Sequence, residues 1–229
     1  MKKSLKMIAI SILSMATINA YAAVAITEVA PWGSSATTTP YATDWFELTN
    51  FGTSAINITG WKMDDNSNSF ASSIALTGIT SIAAGESVIF TENPATISFL
   101  NTWFGSNVPT GLQIGNYTGA GVGLSATADA VNIYNNLGAL QANVTFGAAD
   151  AVAPFQTFDN AAGLNNVAIA TLSTVGTNSA FAAVNPLNIS TVQIGSPGLV
   201  AAPVPEPENY ALMMAGLGLI NLVARKRQA

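Results

Sequence analysis

The sequence predicts an all-β domain, a sandwich or a barrel, set between two ends of different character. Three observations carry this. Residues 24–197 are rich in Thr, Ser, Asn, Gly, Val and Ile, in short apolar or alternating runs divided by turn residues. Between positions 139 and 146, Leu140, Ala142, Val144 and Phe146 alternate with Gln141, Asn143 and Thr145, the period-two pattern of a strand with one buried face. The 178 residues from 23 to 200 can bury about 70% of their unfolded surface, enough for a core without disulfides.

Residues 1–22 have the three parts of a secretory signal. Lys2, Lys3 and Lys6 make a basic start, 7–18 is mostly apolar, and Ala20 and Ala22 place small residues where signal peptidase reads. The lysines hold the start in the cytoplasm while the apolar stretch enters the membrane. The expected mature chain begins at Ala23, after contact with the secretion machinery and the peptidase.

Within the domain, 25–29, 45–50, 55–58 and 87–90 read as strands. Asn93, Pro94 and Gly105 frame one helix as cap, first-turn residue and C-terminal stop, with Ile97, Leu100 and Phe104 on a shared face and Phe99 and Trp103 beside it. Val131 and Ile133 alternate with Asn132 and Tyr134, and Asn135-Asn136-Leu137-Gly138 joins that run to 139–146 as a β-hairpin. Trp45, Phe46, Trp61, Phe90 and Phe146 are the expected large core residues, with Trp61 closing the core after Ile56 and Ile58. Residues 148–192 read as Asn/Ala/Thr-rich loops with room for one more hairpin.

The far end, 201–229, contains an apolar run at 210–224 that as a helix spans about 22 Å, short of a hydrocarbon core of about 30 Å. Asn221, Gly216 and Gly218 weaken it further, which suits temporary retention in the inner membrane. Pro205-Glu206-Pro207 precedes the run and Arg225-Lys226-Arg227 follows it. The basic triplet stays cytoplasmic and leaves the domain outside. These three ordered elements resemble the PEP-CTERM sorting signal. The resemblance implies a Gram-negative, exopolysaccharide-producing host and an exosortase that processes the tail near Pro207.

A second resemblance runs along the strands. Ile26-Thr27-Glu28-Val29, Asp44-Trp45-Phe46-Glu47-Leu48-Thr49-Asn50, Ile56-Asn57-Ile58-Thr59-Gly60-Trp61 with Asp64-Asp65, Ala83-Ala84-Gly85-Glu86-Ser87-Val88-Ile89-Phe90, Gly123-Leu124-Ser125, Val131-Asn132-Ile133-Tyr134 and Ser196-Pro197-Gly198 follow in order. This order is similar to the lamin tail domain. The similarity implies an immunoglobulin-like β-sandwich covering about 26–198, and a binding or structural module in which Glu28 and Glu47 are structural.

Composition excludes several functions. The chain has no histidine and no cysteine, so Ser-His-Asp and Cys-His catalysis, Cys/His zinc sites and thiol redox chemistry are out. Residues 23–200 hold one base, Lys62, against ten acids, a formal charge of −9. That surface repels nucleic acid and anionic headgroups. Asp64-Asp65-Asn66-Ser67-Asn68 spaces oxygen ligands like a calcium loop, but Ser69 and Ala75 stand where an EF-hand needs Gly and Glu, and a solvated turn is the plainer reading. Gly119-Ala120-Gly121-Val122-Gly123 lacks the following Lys and helix of a phosphate loop and reads as a turn. Trp32, Trp45, Trp61, Trp103, Tyr41, Tyr117 and Tyr134 are candidates either for sugar stacking or for the core. Glu28, Asp44 and Glu47 are the carboxylates a glycoside hydrolase would need.

The sequence therefore predicts an exported, non-enzymatic β-sandwich with no cofactor, metal or catalytic residue. Its expected place is the cell surface or exopolysaccharide matrix, in a structural or adhesive role. The alternative is a carboxylate-dependent hydrolase of matrix glycan, which requires Glu28, Asp44 and Glu47 to converge in one open cleft.

Overall fold

The protein is described by a computed structural model, which covers residues 24–32, 44–118, 121–185 and 192–199. The expected signal at 1–22 and the tail at 201–229, with its helix at 210–224, lie outside the described residues. Among the described residues no helix is long and apolar enough to cross a membrane.

The domain is β-structure with one short helix. A continuous ladder runs β12-β1-β2-β7-β8-β5-β4-β9-β10-β13, where β1 is Val24–Ala30, β2 Trp45–Asn50, β4 Lys62–Asp64, β5 Ile74–Thr77, β7 Ser87–Thr91, β8 Gln113–Tyr117, β9 Asp129–Tyr134, β10 Leu140–Phe146, β12 Phe158–Asp159 and β13 Val167–Ile169. β5 pairs through Ile74 and Ala75 with β4 and through Leu76 and Thr77 with β8. One strand thus serves two halves, the corner by which a ladder folds into a sandwich. The β1-β2-β7 half faces the β4-β9-β10 half across one apolar core of Ile26, Val29, Phe46, Leu48, Val88, Phe90, Trp61, Met63, Val131, Ile133, Val144 and Phe146. A two-stranded ribbon, β3 (Ile56–Asn57) with β6 (Ser81–Ile82), adds Ile82 to this core.

β7 and β8 are parallel, and a parallel pair needs a crossover. The crossover carries α1 (Thr96–Phe104), which packs on the outer face of the sheet. There Trp45 of β2 and Ile89 of β7 meet Trp32, Phe99, Trp103 and Phe104 in a second cluster. Trp45 stands edge-on to Trp103 and Phe99, with centroids 5.6 and 5.5 Å away, and Trp32 stacks on Trp103 at 6.4 Å. A small sheet, β11 (Phe155–Gln156), β15 (Gln193–Gly195) and β14 (Phe181–Ala182), extends this outer layer. Phe155 and Phe181 pack against the aromatic cluster.

Several sequence expectations hold and others need correction. The hairpin of β9 and β10 is antiparallel as read, and Trp61 closes the core. Leu140, expected inside, is 43% exposed, because the register shifts between Leu140 and Ala142 and the extra Gln141 breaks the alternation. The helix is capped at Ala95 rather than Asn93, without a side-chain cap bond. Its buried face is Phe99, Thr102, Trp103 and Phe104, leaving Ile97 86% exposed, since the aromatic residues take the cluster beneath. The turn expected after Trp61 starts later, because Lys62–Asp64 pairs with both β5 and β9. Region 148–192 is not mere loop: β12 pairs with β1, and β13 runs parallel to β10.

Candidate functional site

The outer face of β1 and β2 is as buried as the inner one, yet half of it is polar. Its centre is a pair of glutamates. A β-bulge makes Thr27 an extra residue between Ile26, opposite Leu48, and Glu28, opposite Glu47. Thr27 and Glu28 thereby share the outer face. The Thr27 hydroxyl donates to Glu47 Oε1 at 2.6 Å and lies 2.9 Å from the Thr49 hydroxyl, which lies 2.7 Å from that of Ser87.

The remaining partners come from the C-terminal part of the domain. Thr157 donates its hydroxyl to Glu28 Oε1 and lies beside the Ser173 hydroxyl at 2.6 Å. The Ser196 amide donates to Glu28 Oε1 at 2.8 Å, and its hydroxyl reaches Oε2 at 3.3 Å. The Gly198 amide donates to Glu47 Oε2 at 2.6 Å. Gly195 passes so close that a Cβ there would overlap Glu28 Oε1. Gly198 has φ of 74°, in the region that favours glycine. Asp159 stands opposite Glu28 in the ladder, its oxygens held by the Ala161 amide and the Asn178 side chain, each at 2.8 Å.

No base accompanies these acids among the described residues. The one lysine there, Lys62, sits over the Phe70 ring at 4.8 Å. Burial raises Glu28 well above the ordinary 4.5, the Glu47 charge raises it further, and the bonds from Thr157 and Ser196 only partly oppose this. Burial likewise lifts Glu47 to about 7, against bonds from Thr27 and Gly198. Two adjacent carboxylates in one dry site cannot both ionise readily, so the pair retains a proton near neutrality.

Glu28 and Glu47 thus converge, but under a cover of the chain's own backbone rather than in an open cleft. Asp44 is not with them: its Oδ2 accepts the Leu124 amide at 3.0 Å, at the start of β2. Asp64 is fully buried, and its Oδ2 accepts the Ser69 amide at 2.7 Å and the Ser67 hydroxyl at 2.8 Å. Asp65 Oδ1 accepts the Ser67 amide at 3.0 Å, and Tyr134 donates to Asn68 Oδ1 at 2.7 Å. The spaced oxygens of that segment therefore bind their own turn. Among the described residues no group of three or more acidic ligands is arranged to hold a metal ion. Trp32, Trp45, Trp61, Trp103, Tyr117 and Tyr134 are all buried, and Tyr41 lies outside the described residues. The sorting-signal residues Pro205, Glu206, Pro207, Arg225, Lys226 and Arg227, and the cleavage residues Ala20 and Ala22, also lie outside them.

Sequence reasoning missed Thr157 and Ser196 as partners of Glu28, Asp159 as its cross-strand neighbour and Ser173 as the support of Thr157, because they sit in or after the stretch read as loops. It also passed over Asn50, whose side-chain amide binds the carbonyls of Ser54, Ile82 and Ala83 and so ties two loops to the end of β2. Thr27 and Thr49 flank the glutamates, but threonine is common on solvated strands and gives no sign of a cover.

This β-structure, with its Glu-bearing first two strands, belongs with a known class. Residues 17–148, more than half of the chain, match the Lamin Tail Domain, and the chain belongs to that family. The match starts inside the expected signal and ends just past β10, short of Ser196-Pro197-Gly198, where the resemblance in sequence ends. No curated protein matches the chain at a significant level.

Proposed function

We propose that the protein is an exported, non-enzymatic structural or adhesive module, retained briefly at the inner membrane by 201–229 and sorted by an exosortase to the cell surface or exopolysaccharide matrix. In this reading the domain occupies 23–200 between a removed signal and a removed tail. Its partners are the secretion machinery and signal peptidase, the exosortase and a neutral or weakly charged polymer of the exopolysaccharide matrix, and not nucleic acid. One observation supports the non-catalytic part above all: the two strand glutamates direct their oxygens to Thr27, Thr157, Ser196 and Gly198 of the same chain. A hydrolase needs its acid and base exposed to a glycosidic bond. The order of Pro205-Glu206-Pro207, apolar run and Arg225-Lys226-Arg227 supports the sorting part.

Two measurements test this. Mass spectrometry of the mature surface protein in its host should find Ala23 at the start and no residues beyond about 207, and an intact Arg225-Lys226-Arg227 refutes the processing. Incubation of the purified protein with the host's own matrix should give binding that changes little with salt, since few ion pairs form. Release of soluble oligosaccharide, abolished by Glu28→Gln or Glu47→Gln in a folded variant, overturns the non-enzymatic reading.

A further inference from the structure

Residues 193–198 are tied down in an unusual way. Two of their amides, Ser196 and Gly198, end on two different buried carboxylates, at 2.8 and 2.6 Å. Their other attachments are short: β15 has three residues and lies between β11 and β14, which have two each. The opposite walls of the carboxylate site are stronger, since β1 and β2 are inner strands of the long ladder and are backed by the apolar core. We propose that Glu28 and Glu47 form a proton-dependent latch: sharing a proton, they hold residues 193–198 closed over the outer face, and on losing it they release that segment.

The argument turns on what can solvate a doubly ionised pair. Among the described residues, everything that faces it is neutral or negative. β12 brings Asp159, whose charge also opposes ionisation of both glutamates. β2 and β7 bring the hydroxyls of Thr49 and Ser87, and the chain around β11 and β12 brings those of Thr157 and Ser173. The cover brings Ser196. Glu86, next to Ser87, turns its own carboxylate to the Ala83 amide and Gln113. Lys62, the one base in 23–200, is engaged with Phe70. With no cation among the described residues to neutralise a second charge, water must do it. Water reaches the pair by displacing the cover of short strands, of which the segment at 193–198 is the part bonded directly to both carboxylates.

Burial lifts Glu47 to about 7, so the latch works between mildly acid and mildly alkaline conditions. Opening frees residues 193–199, about 25 Å of extended chain, and lengthens the tether between the domain and whatever follows residue 200. The latch does not rest on the sorting proposal, which says only what that tether is attached to.

Hydrogen exchange of the purified full-length protein tests it. After correction for intrinsic exchange, protection of the Ser196 and Gly198 amides should fall at least about tenfold from pH 5.5 to 8.5, the equivalent of one pKa unit. Protection of the Phe46 and Val131 amides should hold. Glu47→Gln, or Glu28→Gln if the first does not fold, should leave the segment protected at both values. Equal protection at both pH values in the wild type overturns the latch, as does a fall that survives in a folded Gln variant. If neither variant folds, the carboxyl carbons of Glu28 and Glu47 decide by NMR. A titration midpoint matching that of segment opening supports the latch, and a different midpoint refutes it.

Discussion

The two faces of the β1-β2-β7 sheet are equally buried and built on different chemistry. The inner face is aliphatic and aromatic, packed against β4, β9 and β10, and its strands lie within the family match. The outer face combines an aromatic cluster with a carboxylate–hydroxyl network, and much of its cover comes from residues 155–198, beyond that match. The inner face tolerates any well-packed apolar set, because dispersion and burial are non-directional. The outer face depends on each donor meeting its acceptor, because an unpaired buried polar group costs more than a bond contributes. Damage to the inner face should therefore scale with volume. Damage to the outer face should depend on hydrogen bonds and on pH.

The largest effect should come from Trp61→Ala. Trp61 is 6% exposed and its loss opens a large cavity in the inner core. Thermal or denaturant unfolding should register a loss of about 3–5 kcal/mol, comparable to the total stability of many domains. A loss that is the same at pH 5.5 and pH 8.5 would mark it as an inner-face effect.

Gly195→Ala comes next. It adds one methyl group where Glu28 Oε1 and Thr157 already crowd the backbone. The cover must shift, breaking the Ser196 bond to Glu28, and about 1–3 kcal/mol should be lost. Hydrogen exchange should localise the damage to 193–198 and the Thr157 neighbourhood. Spread of the damage into β9 and β10 would mean that the two faces are not independent.

Much of the inner face was legible in sequence because its signals are local. Trp45–Asn50 was bounded correctly, and the run around Val131 and Val144 was read as a hairpin. The outer face was not, for a physical reason. Alternation assigns residues to two faces but does not say that both are covered. Glu28 and Glu47 fall at the polar positions, which in a half-buried strand mean solvent, so that their structural role is implied by the resemblance and not by the alternation. Their cover is assembled from two- and three-residue strands and the loops beside them, whose bonds to the glutamates span up to 168 positions in sequence. No window of local pattern contains such a contact. The bulges at Thr27 and Gln141 were invisible for the same reason, being set by the partner strand.

Glu47→Gln separates the faces by pH. A raised carboxyl pKa means that the folded state binds protons more tightly than the unfolded one. Stability from this source is fully present below about 4.5 and declines as pH rises toward about 7. Gln resembles the protonated acid and carries no charge at any pH. At pH 5 the variant should match the wild type within about 1 kcal/mol, and at pH 8.5 it should be the more stable by on the order of 1–2 kcal/mol. A variant less stable than the wild type at pH 8.5 would mean that the Thr27 and Gly198 bonds require the carboxylate charge.

The smallest effect should come from Leu140→Ser, which tests the bulge in β10. Uninterrupted alternation puts Leu140 on the core face with Ala142, Val144 and Phe146. The register shift at Gln141 instead turns it outward, opposite Tyr134. A leucine 43% exposed gives up little on truncation, and unfolding should change by no more than about 0.5 kcal/mol. Val144→Ala, on the same strand but fully buried against the inner core, should cost about 1–3 kcal/mol. The ratio of the two is the measurement that matters. If Leu140→Ser costs as much as Val144→Ala, the strand runs without its bulge and the inner face extends one residue pair further. If it costs nothing, the inner core ends at Ala142, and the hairpin turn beyond it contributes shape rather than burial.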